Sequence, residues 1–112
     1  MVYDEGSAQR VRDVLGTAPG LTERKMFGGI SFMFDGNMCC GVLNRDLIVR
    51  VGPGLYEGAL GEAHVRPMDF TGRPLRGFVY VAPEGYADET DLERWVERGA
   101  RFVRTLPAKQ HR

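Results

Sequence analysis

The dipeptide Asp35-Gly36 constrains the fold more than any other feature of the chain. Before it, Ile30, Phe32 and Phe34 recur at every second position, which is the pattern of a strand with one buried face. Asp-Gly is typical of a type I′ turn, because both central residues of that turn need a positive φ. Residues 38–43 then return and are apolar on both faces. We therefore predict an antiparallel hairpin whose second strand is central in a sheet.

Further strands extend this hairpin into an antiparallel meander. Residues 25–27 are β-compatible and precede it, and a second turn at residues 44–46 leads to a strand over 47–51. Residues 78–81 predict one more strand. The stretch from His64 to Gly77 has turn signals but no long period, so we expect a structured loop there.

Helical periodicity marks three other segments. Residues 4–15 predict a short amphipathic helix, with acidic residues at its positive end. Pro53 suits the first turn of a second helix that Gly61 ends. An apolar stripe over residues 92–106 gives the clearest helix, with Asp88 as its N-cap and Pro107 as its stop.

The order helix, strands, helix, strand, helix predicts an α+β fold of two layers. Hairpin-length turns favour an antiparallel meander sheet with the helices packed on one face. A chain of 112 residues is the size of one domain. We expect this domain to cover residues 1–108 and residues 109–112 to form a mobile tail.

Charge and hydropathy exclude several classes of function. Lysine plus arginine equals aspartate plus glutamate, at 15 each, and this balance disfavours direct nucleic-acid binding. The longest apolar run, residues 38–43, is far too short to cross a membrane. The N-terminus carries no signal-peptide pattern, so we expect a cytoplasmic protein.

The candidates for chemistry are few and each has a simpler interpretation. Cys39 and Cys40 are adjacent, and on a regular strand they point to opposite faces, so we expect reduced thiols. Paired with His64, one of them could act as a thiol nucleophile, but a small core residue is favoured. Two cysteines and two distant histidines lack zinc spacing. Gly28-Gly29 precedes a strand rather than a helix, which favours a bend over a phosphate loop. We expect no catalytic residue, metal or cofactor.

The segment 66–76, which contains the loop 68–76, is the most unusual part of the sequence. Asp69 can fix it by accepting hydrogen bonds from the following turn, or by pairing with Arg73 or Arg50. The alternative is a patch that binds an anion or a partner. The residues proposed for that patch are Lys25, Arg66, Asp69, Arg73 and Arg76.

Five short motifs occur in an order that resembles one known family. They are KMFGG at 25–29, FDGNM at 34–38, VRVG at 49–52, MDFTGRP at 68–74 and GFVYV at 77–81. Together they resemble the N-terminal domain of the TfoX/Sxy competence regulators, and the similarity covers nearly the whole chain. Each motif alone is weak, but the ordered set is fairly specific.

The resemblance implies a two-layer α/β domain similar to secretion-chaperone-like folds. It also implies kinship to bacterial regulators of natural competence, which are thought to act with the cyclic-AMP receptor protein at promoters. Members tied to competence usually carry a second, helical domain, and this chain ends soon after Leu106. We therefore expect a stand-alone N-terminal module, and the family supplies no catalytic residues to transfer.

The leading hypothesis is a non-enzymatic regulatory module that works through protein–protein contact, with a homodimer as one open form. The alternative is a small-molecule or anion-binding domain that uses the 68–76 loop.

Overall fold

One antiparallel sheet of six strands organises the domain. The computed structural model describes residues 3–26, 28–69 and 72–108. The strands are β1 (Leu21–Met26), β2 (Gly29–Phe34), β3 (Asn37–Leu43), β4 (Asp46–Arg50), β5 (Val65–Pro67) and β6 (Phe78–Val81). Their order across the sheet is β1-β2-β3-β4-β6-β5. The helices are α1 (Glu5–Leu15), α2 (Tyr56–Leu60) and α3 (Glu89–Val103).

The predicted hairpin and meander are confirmed. Asp35 and Gly36 have φ values of 50° and 83°, as a type I′ turn requires, and they join β2 to β3. The α+β fold is confirmed with them, since β1 to β4 pair in chain order. All residues of β3 except the partly buried Met38 are buried, which explains why that strand is apolar on both faces.

The main core lies between the sheet and the helices. The stripe on α3 is buried there and packs against β3 and β4, as its periodicity predicts. Gly99 lies at the closest approach, because a Cβ atom at that position would come within 2.5 Å of the Cys39 carbonyl oxygen. A smaller apolar cluster around Ile48 and Tyr80 is separate from this core.

The stretch from 64 to 77 was wrongly predicted to be loop throughout. It contains β5, which pairs with β6 at the edge of the sheet. Three residues ending in Pro67 give too short a pattern for periodicity to detect. Proline and shortness also protect an exposed sheet edge from further pairing.

The predicted start of α2 is wrong, whereas the N-cap position predicted for α3 is confirmed. Helix α2 begins at Tyr56, and residues 53–55 form a turn before it, so Pro53 is not in the first helical turn. Asp88 occupies the N-cap position of α3 but makes no side-chain capping bond. Asp4 does cap α1, because its carboxylate accepts a hydrogen bond from the Ser7 N–H at 2.9 Å.

The two cysteines are free, as predicted, but they do not face opposite sides of the sheet. The register between β2 and β3 shifts at Phe32, where Cys40 pairs with Phe32 and Met38 pairs with Met33. Cys39 is the extra residue of this bulge, so both thiols lie in the main core.

Two further predictions concern the C-terminal tail and membrane-spanning helices. The predicted tail 109–112 lies outside the described residues, so the domain boundary at 108 stays a prediction. No helix in the described part of the chain has the length and apolar character needed to span a membrane.

Candidate interaction surface

The residues proposed for a basic patch do not form one cluster. Lys25 lies on β1 and Arg66 on β5, at opposite edges of the sheet. Five strand spacings separate these edges, or roughly 24 Å. Lys25 therefore cannot share a ligand with the arginines that follow β5.

Arg66 is held in place by the fold. Its guanidinium donates to the Asp46 carboxylate at 2.7 Å and lies 4.6 Å from the centre of the Tyr80 ring. The hydrogen bond to Asp46 raises the pKa of Arg66. Arg66 thus joins β5 to the first residue of β4, which is a structural role.

The loop after β5 is fixed by its backbone. The Asp69 carbonyl accepts from the Gly72 N–H at 2.8 Å, and the Met68 carbonyl accepts from the Leu75 N–H at 2.9 Å. In the described part of the chain, no ion pair joins Asp69 to Arg73 or to Arg50. Residues 70 and 71 of this loop lie outside the description. Arg73 and Arg76 are exposed.

The loop ends against the turn that precedes α2. The N–H groups of Val51 and Gly52 both donate to the Gly77 carbonyl, at 2.8 and 3.1 Å. A Cβ atom at Gly77 would lie within 3.5 Å of Gly52 and Pro53. The predicted loop and the residues 51–55 therefore form one continuous end of the domain.

Beside that loop lies an open apolar groove between residues 51–55 and the second half of α3. Its volume is about 300 Å³. Its lining is Val51, Pro53, Gly54, Leu55, Arg98, Arg101, Phe102 and Thr105. Leu55 is 58% exposed and adds its apolar side chain to the surface of the groove. We call this feature the Leu55 groove.

The floor of the Leu55 groove is set by the contact between Phe102 and Gly52. The ring of Phe102 packs on the backbone of Gly52, which has φ +86°. A side chain at Gly52 would occupy the place of the ring, since a Cβ atom there would approach it to 2.4 Å. Phe102 is therefore half-buried and forms the floor of the groove.

Arginines form the rim of the groove. Arg98 is oriented by the Glu62 carboxylate at 2.6 Å and stacks 4.5 Å from the centre of the Trp95 ring. The side chain of Arg101 is 77% exposed, and its guanidinium lies 3.8 Å from the Glu97 carboxylate. One rim arginine is thus held in position while the other projects into solvent.

A third arginine lies behind Phe102. The Arg50 guanidinium is 5.4 Å from the centre of the Phe102 ring and 5.2 Å from that of Phe78. No carboxylate among the described residues forms an ion pair with it. Burial lowers the pKa of Arg50, because the charged guanidinium is partly removed from water. Cation–π contacts hold this charge in place.

Neither a metal centre nor an activated thiol emerges from the described residues. No group of three or more potential ligands converges there. Cys39 and Cys40 are fully buried, whereas His64 is exposed. A hydrogen bond with Cys39, together with burial, raises the pKa of the Cys40 thiol well above its usual value. That shift opposes thiolate formation and favours the core interpretation of the cysteines.

Sequence reasoning did not identify the groove. Phe102 belongs to the apolar stripe predicted for α3, and Leu55 lies within the second helix as it was predicted, so neither residue stood out as a surface feature. The late start of α2 leaves Leu55 in the preceding turn, off the buried face. The motif VRVG at 49–52 was the available signal, since it places Arg50 and a glycine together.

Comparison with known proteins identifies a family. A family model described as the TfoX N-terminal domain matches residues 13–103, which include most of the groove lining. No curated protein and no solved structure matches the chain.

Proposed function

The chain belongs to the TfoX N-terminal domain family, and we propose that it is a non-enzymatic regulatory module that binds a partner protein. The observation that carries the proposal is the Leu55 groove. It combines an apolar floor with a rim of arginines on a fixed scaffold. Exposed apolar surface rimmed by polar groups is typical of protein interaction sites, and arginine is enriched in them.

The proposed site of action is the cytoplasm. Cys39 and Cys40 lie close together in the core without forming a disulfide, which suits a reducing compartment. The link to transcription rests on the family alone.

Photocrosslinking tests the proposal directly. Benzoylphenylalanine replaces Leu55 in one variant and Glu84 in a control variant, and both are expressed in the cells that normally make the protein. Glu84 follows β6 at the other end of the sheet and is exposed, so it reports on non-specific capture. We expect one protein to crosslink at position 55 and not at position 84.

Two results of this experiment bear on the partner. Capture of a second copy of this chain at position 55 would make the module a homodimer. Equal capture at both positions, or none at either, would contradict a partner-binding role for the groove.

A second candidate is the binding of an anion or a small anionic molecule at the 68–76 loop. Arg73 and Arg76 favour it, because they are exposed and form no ion pair within the described residues. A ligand that binds only the folded state raises the melting temperature. A rise with phosphate or an anionic metabolite, lost in Arg73→Glu/Arg76→Glu, would support this role over the first.

A further inference from the structure

The Leu55 groove carries positive charge that nearby carboxylates do not fully neutralise. Glu97 is shared between Arg101 and Arg104, at 3.8 and 3.5 Å. Arg98, on the same rim, shares the Glu62 carboxylate with Arg94. The whole chain is neutral, so this local excess comes from the way the fold distributes its charges.

The apolar part of the groove is small. About 300 Å³ lies at the lower limit of pockets that enclose a small molecule, and the groove is open to solvent. Such a space suits one large side chain of a peptide, resting on Phe102 and Leu55. The flanking guanidiniums then lie where they can meet carboxylates of the same peptide.

On these grounds we propose that the groove binds an acidic segment of the partner, which inserts one aliphatic or aromatic anchor between Leu55 and Phe102. A carboxylate beside that anchor pairs with Arg101, which lines the groove. This inference rests on the proposed function and specifies the chemistry of the partner. A nucleic acid is the poorer fit, because it has no aliphatic side chain to bury on Phe102 and the chain has no net positive charge.

Arg101 is suited to this role because its side chain is 77% exposed and its carboxylate neighbour, Glu97, is shared with Arg104. A carboxylate of the ligand can therefore approach Arg101 without displacing a strong ion pair. Binding should weaken with salt, because an exposed charge is screened, while burial of the apolar anchor should retain part of the affinity.

Fluorescence anisotropy with labelled nine-residue peptides tests the inference. The probe has a central leucine flanked by glutamates; two matched peptides replace the leucine by serine or the glutamates by lysines. We expect only the probe to bind at low salt. Leu55→Glu and Arg101→Glu should each weaken it by about tenfold or more, as truncation of a central interface residue does.

Arg24→Glu serves as the control variant, since Arg24 is exposed on the distant strand β1 and should leave binding unchanged. Melting temperatures of all variants, which alter exposed side chains, should match that of the unmodified chain. A labelled DNA duplex is the last control. Any binding of the duplex should be unchanged in Leu55→Glu and Arg101→Glu.

Failure to bind the probe, equal binding of the lysine peptide, or variant-sensitive binding of the duplex would overturn the inference. Capture of a partner at position 55 without probe binding would leave the proposed function standing and remove only the acidic-segment claim. Absence of any capture would remove the proposed function itself, so the two failures are distinguishable.

Discussion

The ring of Phe102 lies over the backbone of Gly52, so close that a Cβ atom on Gly52 would come within 2.4 Å of it. Gly52 also has φ +86°, a conformation that other residues adopt only under strain. This contact joins the end of β4 to α3 and places the aromatic floor of the Leu55 groove.

Gly52→Ala should therefore destabilise the domain by about 1–3 kcal/mol, from overpacking and backbone strain. Gly54→Ala is the matched control in the same turn, because a Cβ atom there meets nothing within 4 Å. Urea unfolding of both variants measures the difference. Equal midpoints would contradict the placement of Phe102.

Gly99→Ala should also destabilise the domain, although alanine favours helices more than glycine does. The new methyl group would meet the Cys39 carbonyl oxygen at 2.5 Å, so α3 must move away from β3. We expect a loss of about 1–3 kcal/mol. Gly58→Ala in α2 meets no atom within 4 Å and should instead gain up to about 1 kcal/mol. Thermal unfolding compares the two, and a stabilised Gly99→Ala protein would refute the close approach.

Tyr86→Phe should remove a buried hydrogen-bond junction. The Tyr86 hydroxyl donates to the Arg45 carbonyl at 2.5 Å and lies 3.0 Å from the Ser7 Oγ. Its loss should cost about 1–3 kcal/mol at neutral pH, because buried partners are left unsatisfied.

Ionisation of Tyr86 should make the stability of the folded state depend on pH. Burial raises the pKa of Tyr86 above 10.0, against a smaller lowering by the Ser7 hydrogen bond. The folded state thus favours the neutral phenol, and stability is complete below pH 10 and falls as the pH rises through the folded pKa. Tyr86→Phe should show a smaller alkaline loss than the unmodified chain. Identical alkaline profiles would contradict this assignment.

The ion pairs of Glu62 should stabilise the folded state at neutral pH and lose this effect at acidic pH. Burial alone would raise its pKa, but hydrogen bonds from Arg98 and Arg94 outweigh it, so the pKa of Glu62 lies below 4.5. A lowered pKa gives stability that is present above pH 4.5 and lost as the pH falls through the folded value. The stability difference between the unmodified chain and Glu62→Gln should therefore shrink from about pH 6 to about pH 3.

Glu93→Gln provides the control for this titration, because Glu93 is exposed and forms no ion pair within the described residues. The pH dependence of Glu62→Gln beyond that of Glu93→Gln is the part assigned to the ion pairs of Glu62 with Arg98 and Arg94. Equal pH profiles of the two variants would show that the bridge to Arg98 contributes nothing.

The sheet could be predicted from the sequence because its signals are local. Asp35-Gly36 and the alternation before it define β2, the turn and β3 without knowledge of the rest of the chain. The stripe on α3 is equally local, since one helix face carries all of its apolar residues. β5 could not be found in this way, because three residues ending in Pro67 gain their structure only from pairing with β6.

The candidate site depended on distant contacts, and sequence reasoning therefore missed it. The position of Phe102 depends on Gly52, fifty residues earlier, and the exposure of Leu55 depends on where α2 begins. Lys25 and Arg66 showed the opposite error: both are basic, but the strand order places them at opposite edges. The sequence shows which residues are basic, but it does not show where the fold places them relative to one another.

Leu55 and Leu75 allow the central claim to be tested with matched variants. Both are exposed, at 58% and 43%, but only Leu55 lines the groove, whereas Leu75 belongs to the 68–76 loop. The measurement is the affinity of the partner captured at position 55 for Leu55→Glu and Leu75→Glu. We predict a loss of about tenfold or more for Leu55→Glu and none for Leu75→Glu. Unchanged affinity of Leu55→Glu, or a loss confined to Leu75→Glu, would contradict the groove as the binding surface.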